Sequence, residues 1–288
     1  MEYIIHLAIL FSIYAILSLG LNLVVGYTGL LSVAQGAFYG IGAYATAILL
    51  TNFGLNFFLA LFCGVIITII VSFLIGLVLS KFDSDYYALG SLGFNVIVIG
   101  IFLNWESLTH GSLGIPGIAK PNLFGIDFSS SLGFLILAAA FLIAIYLMCD
   151  FISQSSFGRV LKAIREDEKA IGVFGYNTSY YKLAVFVIGA SMAAIAGSFF
   201  ASYISFIDPS TFTIDESILI LSMIIFGGLA SLRGSMLGAL ILVLLPELLR
   251  FVGFPQEVAA QMRQVVYGLL LVILMRYKPE GLIGEYKF

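Results

Sequence analysis

The residues best suited to chemistry lie in one hydrophilic stretch, 156–182, which reads SFGRVLKAIREDEKAIGVFGYNTSYYK. It gathers Arg159, Lys162, Arg165, Lys169 and Lys182 with Glu166, Asp167 and Glu168, eight of 29 charged residues in under a tenth of the 288-residue chain. Charges of both signs at this density suit recognition of a partner protein, because an anionic lipid surface repels three adjacent acids. A basic helix lying on headgroups is the plainer alternative. Catalysis has no comparable candidate. His6 and His110 are too far apart in sequence to suggest a metal site, and no Ser/His/Asp set or catalytic carboxylate pair stands out. No GxxxxGK[ST] loop is present to cradle nucleotide phosphates. Cys63 and Cys149 sit in apolar runs and read as small apolar fillers. An enzyme is not expected.

The rest of the chain dictates what positions this stretch. Hydrophobic residues make up 61% of the sequence and charged residues only 10%, and the mean hydropathy is +1.11. Soluble domains carry about 25% charged residues, so the chain belongs in a bilayer. The net charge of −3 gives no hint of nucleic acid. Spans need about 20 mostly apolar residues. Nine segments qualify to within one: 3–25, 33–52, 56–80, 86–104, 132–152, 180–202, 216–232, 235–251 and 262–277. The expected fold is therefore an all-α polytopic transmembrane helical bundle forming one domain over 1–288, with eight to ten spans. Glu2 without a preceding basic region marks the first segment as a retained span, not a signal peptide.

Lys and Arg accumulate in cytoplasmic loops. With the N-terminus outside and the C-terminus inside, ten of the thirteen basic residues fall in the cytoplasm: Lys81, the five of the charged stretch, Arg233, Arg276, Lys278 and Lys287. Lys120, Arg250 and Arg263 fall outside. Within the stretch, Val160, Leu161, Ile164, Ile171 and Val173 recur at helical spacings and predict one apolar stripe. Gly175 suits a left-handed helix end, and Asn177, Thr178 or Ser179 would cap the next span.

A weak internal repeat points to a transport path. Leu30, Ser32, Gly36 and Gly40 correspond to Leu229, Ser231, Gly234 and Gly238 at offsets of 198 or 199 residues. Both places are Gly-interrupted breaks, and backbone freed at membrane depth must be satisfied by protein or a water-filled cavity. Gly26, Tyr27, Thr28, Gly29, Ser32 and Gln35, facing Gly227, Gly228 and Ser231, are the candidates to line the path. Close helix packing is the alternative role for the glycines. The spans are read as nearly free of ionisable residues apart from end positions such as Asp150 and Glu247.

These residues carry a resemblance. GRVLKAIREDEKAIGVFGYNTSYYKLAVFVIGASMAAIAG resembles the cytoplasmic coupling segment of the branched-chain amino acid permeases of ABC importers, with Glu168, Ala170 and Gly175 in the acidic, Ala and Gly places. LNLVVGYTGLLSVAQGAFYGIGAYATAIL, DYYALGSLGF with SLTHGSLGI, FGGLASLRGSMLGALILVLLPELLR and YKPEGLIG resemble the family's other signatures in order. The M-type subunit fits better than the shorter H-type. Asn95-Val96 departs from a Gly-Glu found in many relatives, and His110 and Ser112 replace a Gly and a Pro.

The resemblance implies an inner-membrane permease subunit importing branched-chain or related small apolar amino acids. It binds no cofactor itself. ATP is used by two cytoplasmic ATPase subunits, which dock on the coupling segment 156–178 through Arg159, Lys162, Arg165, Glu168, Ala170 and Gly175. A sister permease and a periplasmic binding protein complete the system. Replacing Glu168 with Lys is expected to abolish uptake. Urea or short amides are alternative cargoes, and an ATPase-independent secondary transporter or channel is the alternative class.

Overall fold

The computed structural model describes residues 2–82, 84–123, 126–128, 130–251, 259–278 and 280–284. Lys287, counted on the cytoplasmic side, and Pro279 of the C-terminal signature lie outside them. All nine expected segments fall on helices: α1 (Glu2–Thr28), α2 (Gln35–Phe53), α3 (Phe57–Leu79), α4 (Ser84–Asn104), α6 (Ser131–Gln154), α8 (Thr178–Ile204), α9 (Ile214–Gly227), α10 (Leu232–Phe251) and α11 (Ala259–Tyr277). A four-residue turn, α5 (Glu106–Thr109), and α7 (Ser156–Val173), the charged stretch, complete the set. Among the described residues, α1, α3, α4, α6 and α8 are long and apolar enough to cross a membrane. The chain is an all-α, multi-pass membrane protein.

The packing is inside-out relative to a soluble bundle. Along α3, Ala60, Gly64, Thr68, Ser72 and Gly76 recur every four residues on the buried face. Leu59, Phe62, Ile66, Ile70, Phe73 and Leu77 form the exposed stripe. Small residues let helix backbones approach where lipid removes the usual hydrophobic drive for association; the large apolar face is left to lipid. The centre of the bundle is α1, α2 and α8. α1 is buried without interruption from Ala15 to Thr28. Gly42 of α2 lies directly on the backbone of Ala194 in α8, and Gly197 of α8 on the carbonyl of Tyr39. A Thr46–Ser198 hydroxyl pair at 2.6 Å joins the same two helices.

Two helices of this core begin midway along it. Gln35 at the start of α2 donates from Nε2 to the carbonyls of Leu17 (3.2 Å) and Gly189 (3.5 Å), which lie in the middle of α1 and α8. Residues 29–34 therefore run back along the bundle after α1 ends. α9 also starts inside: the Gly36 N–H donates to Ser217 Oγ at 2.8 Å, so the N-termini of α2 and α9 meet. The chain reaches α9 through a short antiparallel pairing of Ile115–Pro116 with Phe206–Ile207. A 3₁₀ turn, Pro209–Phe212, follows. The Phe212 ring packs between those of Tyr39 and Tyr44, at 5.1 and 5.8 Å.

Candidate functional site

The charged stretch folds as two short helical pieces where one continuous stripe was expected. Ser155 caps the first, its hydroxyl accepting from the Gly158 N–H at 3.3 Å. The break falls at Asp167, whose backbone is extended (φ −156°, ψ 99°). The cause is local: the Asp167 carboxylate accepts from the Ala170 N–H at 3.0 Å, capping a new helical turn. Leu161 and Ile164 are buried as the periodicity predicts, but Val173, beyond the break, is 88% exposed. Phe174 beside it is 78% exposed. Gly175 has φ +88°. Its N–H bonds the Gly172 carbonyl at 3.0 Å and the Tyr176 N–H the Ile171 carbonyl at 3.4 Å, the paired bonds of a Schellman ending. Asn177 supplies the next cap, accepting from the Tyr180 N–H at 3.2 Å.

Three basic side chains of the stretch tie it to the bundle. The Arg165 guanidinium donates to the Gly26 carbonyl in the last turn of α1, where unsatisfied carbonyls and the helix dipole favour a cation. Its side-chain stem lies over Gly29, whose φ of +73° turns the chain out of α1. Lys162 Nζ sits 5.5 Å from the centre of the Tyr27 ring. Lys182, at the start of α8, is only 3% exposed and meets Glu168 Oε1 at 2.7 Å. Its ammonium also faces the Phe82 carbonyl at 3.4 Å. Of the expected partner-facing residues, Arg159 and Gly175 are exposed, Ala170 is half-buried, and Lys162, Arg165 and Glu168 are engaged within the chain. A cavity of about 420 Å³ lies beside Arg159, between Phe157, Val160 and Ala163 and the rings of Tyr176 and Tyr180.

The candidate path residues divide between two breaks. Tyr27 and Thr28 close α1, the Thr28 hydroxyl bonding back to the Val24 carbonyl. Gly29 and Ser32 lie in the 29–34 segment, and Gln35 opens α2. Protein groups satisfy that segment: the Val33 N–H bonds Ser91 Oγ (2.9 Å) and the Val33 carbonyl accepts from Asn95 Nδ2 (2.8 Å). The same Asn95 amide reaches Ser217 Oγ at 2.7 Å. Gly227, Gly228 and Ser231 form the second break, between α9 and α10. There the Asn22 amide donates to the Ser231 carbonyl (3.0 Å) and Ser235 Oγ (2.6 Å), and its oxygen accepts from the Ala230 N–H (3.0 Å). Leu282 and Ile283 N–H groups take the Phe226 and Gly227 carbonyls at 3.1 and 2.9 Å. Of the nine candidates, Gly29 is exposed, Ser231 is half-buried and the other seven are buried. None of them lines the cavity beside the charged stretch.

Sequence reasoning missed Asn22, Asn95, Ser217 and Glu216 as site residues. The available signal was a polar side chain inside an apolar segment. Lys182 in α8 and Glu216 in α9 stand at the starts of expected spans, among the end positions excepted from the expectation of spans nearly free of ionisable groups, and both are held among other helices.

The two breaks put irregular backbone inside the bundle, and the charged helix is docked against the end of α1. The family described as "Branched-chain amino acid transport system / permease component" matches residues 3–275. The chain is 34% identical over 302 residues to the high-affinity branched-chain amino acid transport system permease protein LivM of Salmonella typhimurium, covering 97% of this chain and 69% of the relative. LivM of Escherichia coli gives the same identity and coverage. LivH of Salmonella typhimurium is 28% identical over 95% of this chain and 92% of its own length. No solved structure matches. The chain belongs to the branched-chain amino acid transport system permease family.

Proposed function

We propose that this chain is the M-type permease subunit of an ATP-driven importer in a bacterial inner membrane. It forms, with a sister permease, the path for branched-chain or related small apolar amino acids. In this reading the N-terminus is periplasmic and the charged stretch is cytoplasmic. Two ABC ATPase subunits hydrolyse the ATP, and a periplasmic binding protein delivers the cargo. The relatives' names support the transport class and a multi-subunit system.

One observation carries the coupling role: the exposed surface of α7 is fixed to the end of α1 by Arg165 and Gly26. α1 in turn holds the second break through Asn22. A push on α7 thus reaches the second break through Arg165, α1 and Asn22, and Gly29 of the first through the Arg165 stem. Val173, exposed at the end of α7, and Phe174, exposed just beyond it, are the apolar contacts such a partner would cover.

The reading is tested by leucine uptake in a strain lacking its own branched-chain importers. The chain is expressed with its neighbouring transport genes, with and without the ATPase genes. Uptake that requires every gene supports the proposal. Uptake that persists without the ATPases favours a self-sufficient carrier, for which the half-buried Glu216 is the structural argument. Uptake of urea or acetamide in place of leucine reassigns the cargo.

A further inference from the structure

A second, larger cavity lies at the other end of the bundle from the charged stretch. It encloses about 690 Å³ between the first half of α1, the start of α9, and parts of α10 and α11. Its apolar wall includes Leu7, Leu10, Leu219, Met223, Leu242 and Leu271. Its polar end carries Asp215, Glu216 and Glu247, with no Lys or Arg lining it among the described residues. His6, also in the lining, is bonded to the Tyr203 hydroxyl at 2.7 Å.

Glu216 is the decisive residue. Tyr14, also in the lining, stands beside its carboxyl group. One demand of Glu216 is unmet: Oε1 is sealed from solvent and has no hydrogen-bond partner among the described residues. A carboxylate oxygen held in a low-dielectric place without a partner is costly, and an ionisable group at membrane depth marks a functional site by default. A metal ion does not fit, because no three His, Cys, Asp or Glu side chains among the described residues lie close enough to hold one. The cavity is also a built one. Pro246 in α10 has no N–H for the Leu242 carbonyl, and the Tyr267 hydroxyl of α11 faces that carbonyl at 3.5 Å, closing the fourth wall.

We infer that this cavity binds an organic ammonium group on an apolar body, the ammonium on Glu216 and Tyr14 and the body along the leucine-rich wall. A free apolar amino acid and an aminophospholipid share that chemistry. The ligand chemistry is independent of the importer reading; only the choice of the amino acid as natural ligand rests on it.

The test uses the full chain in nanodiscs of phosphatidylcholine, with and without phosphatidylethanolamine. Thermal unfolding is followed with leucine, isoamylamine (no carboxylate) or 4-methylpentanoate (no amine). The variants are Glu216→Gln and Gly268→Trp; Gly268 lines the cavity, and a Cβ added there meets nothing within 4 Å. Leucine and isoamylamine should raise the unfolding temperature while 4-methylpentanoate does not, and Glu216→Gln should weaken the effect about tenfold or more. Retention of phosphatidylethanolamine by the parent chain and its loss from both variants would support the site with a lipid as its source. Protection equal for the amine-free acid, no amine protection or retention at all, or amine effects unchanged in both variants would overturn it. Leucine uptake measured in parallel keeps the two readings separate: uptake with no amine effect sinks only this inference, and amine binding without uptake sinks only the cargo.

Discussion

The Glu168 carboxylate meets the Lys182 ammonium at 2.7 Å, and Lys182 is 97% withdrawn from solvent while Glu168 keeps a third of its side chain exposed. The pair joins the second piece of α7 to the first turn of α8, across the Schellman turn at Gly175. Glu168 therefore ties the end of the charged stretch to the helix that follows it.

Removing the acid strands a buried cation. Glu168→Gln should destabilise the chain by about 1–3 kcal/mol, discounted from the cost of breaking a fully buried pair because Glu168 is partly solvated. Lys182→Met in the same chain should recover much of that loss, the signature of coupled residues. Thermal unfolding of the two single variants and the double variant in detergent checks this. Additive losses would show that the pair does not stabilise the fold.

Asn22 answers three backbone or hydroxyl groups of the second break at once. Asn22→Leu keeps the volume but leaves the Ala230 N–H unpaired in the core, while the Ser231 carbonyl keeps the Ser235 N–H and hydroxyl. The expected cost is about 1–3 kcal/mol, that of one stranded buried group. Proteolysis at the α9–α10 break should speed up in step. Unchanged protection there would mean that the break is held by the 282–283 segment alone.

The glycines separate into contacts and open places. At Gly42 an added Cβ lands on the Ala194 backbone, whereas at Gly100 it meets nothing within 4 Å. Gly42→Ala should impair folding, forcing α2 from α8. Gly100→Ala should be neutral or slightly stabilising, by up to about 1 kcal/mol through helix propensity. Expression and unfolding temperature of the two variants give the comparison, and equal behaviour would contradict the packing described for α2 and α8.

Much of this was legible in the chain itself. All nine segments lie on helices because apolarity over a span's length is read directly from composition. Gly175 and Asn177 were legible because turn and cap chemistry is local. The break at Asp167 was not. Helical periodicity continues through it, and only the competition of its carboxylate for the Ala170 N–H ends the helix. The midway starts of α2 and α9 were also hidden. They depend on Asn95, Ser91 and Ser217 meeting from distant segments, and no local pattern registers a hydrogen bond between residues 33 and 95 or 36 and 217. Asn95 was visible only as a departure from the family pattern, yet it braces the first break.

The central claim is that work done on the charged stretch reaches the path through α1. Its most direct test is ATP-dependent leucine uptake by proteoliposomes holding the chain with its partner subunits, comparing the parent with Arg165→Ala. The account predicts that the variant complex assembles and hydrolyses ATP while uptake falls about tenfold or more, the scale of a lost charge-assisted bond. Uptake at the parental rate with Arg165 removed would contradict it.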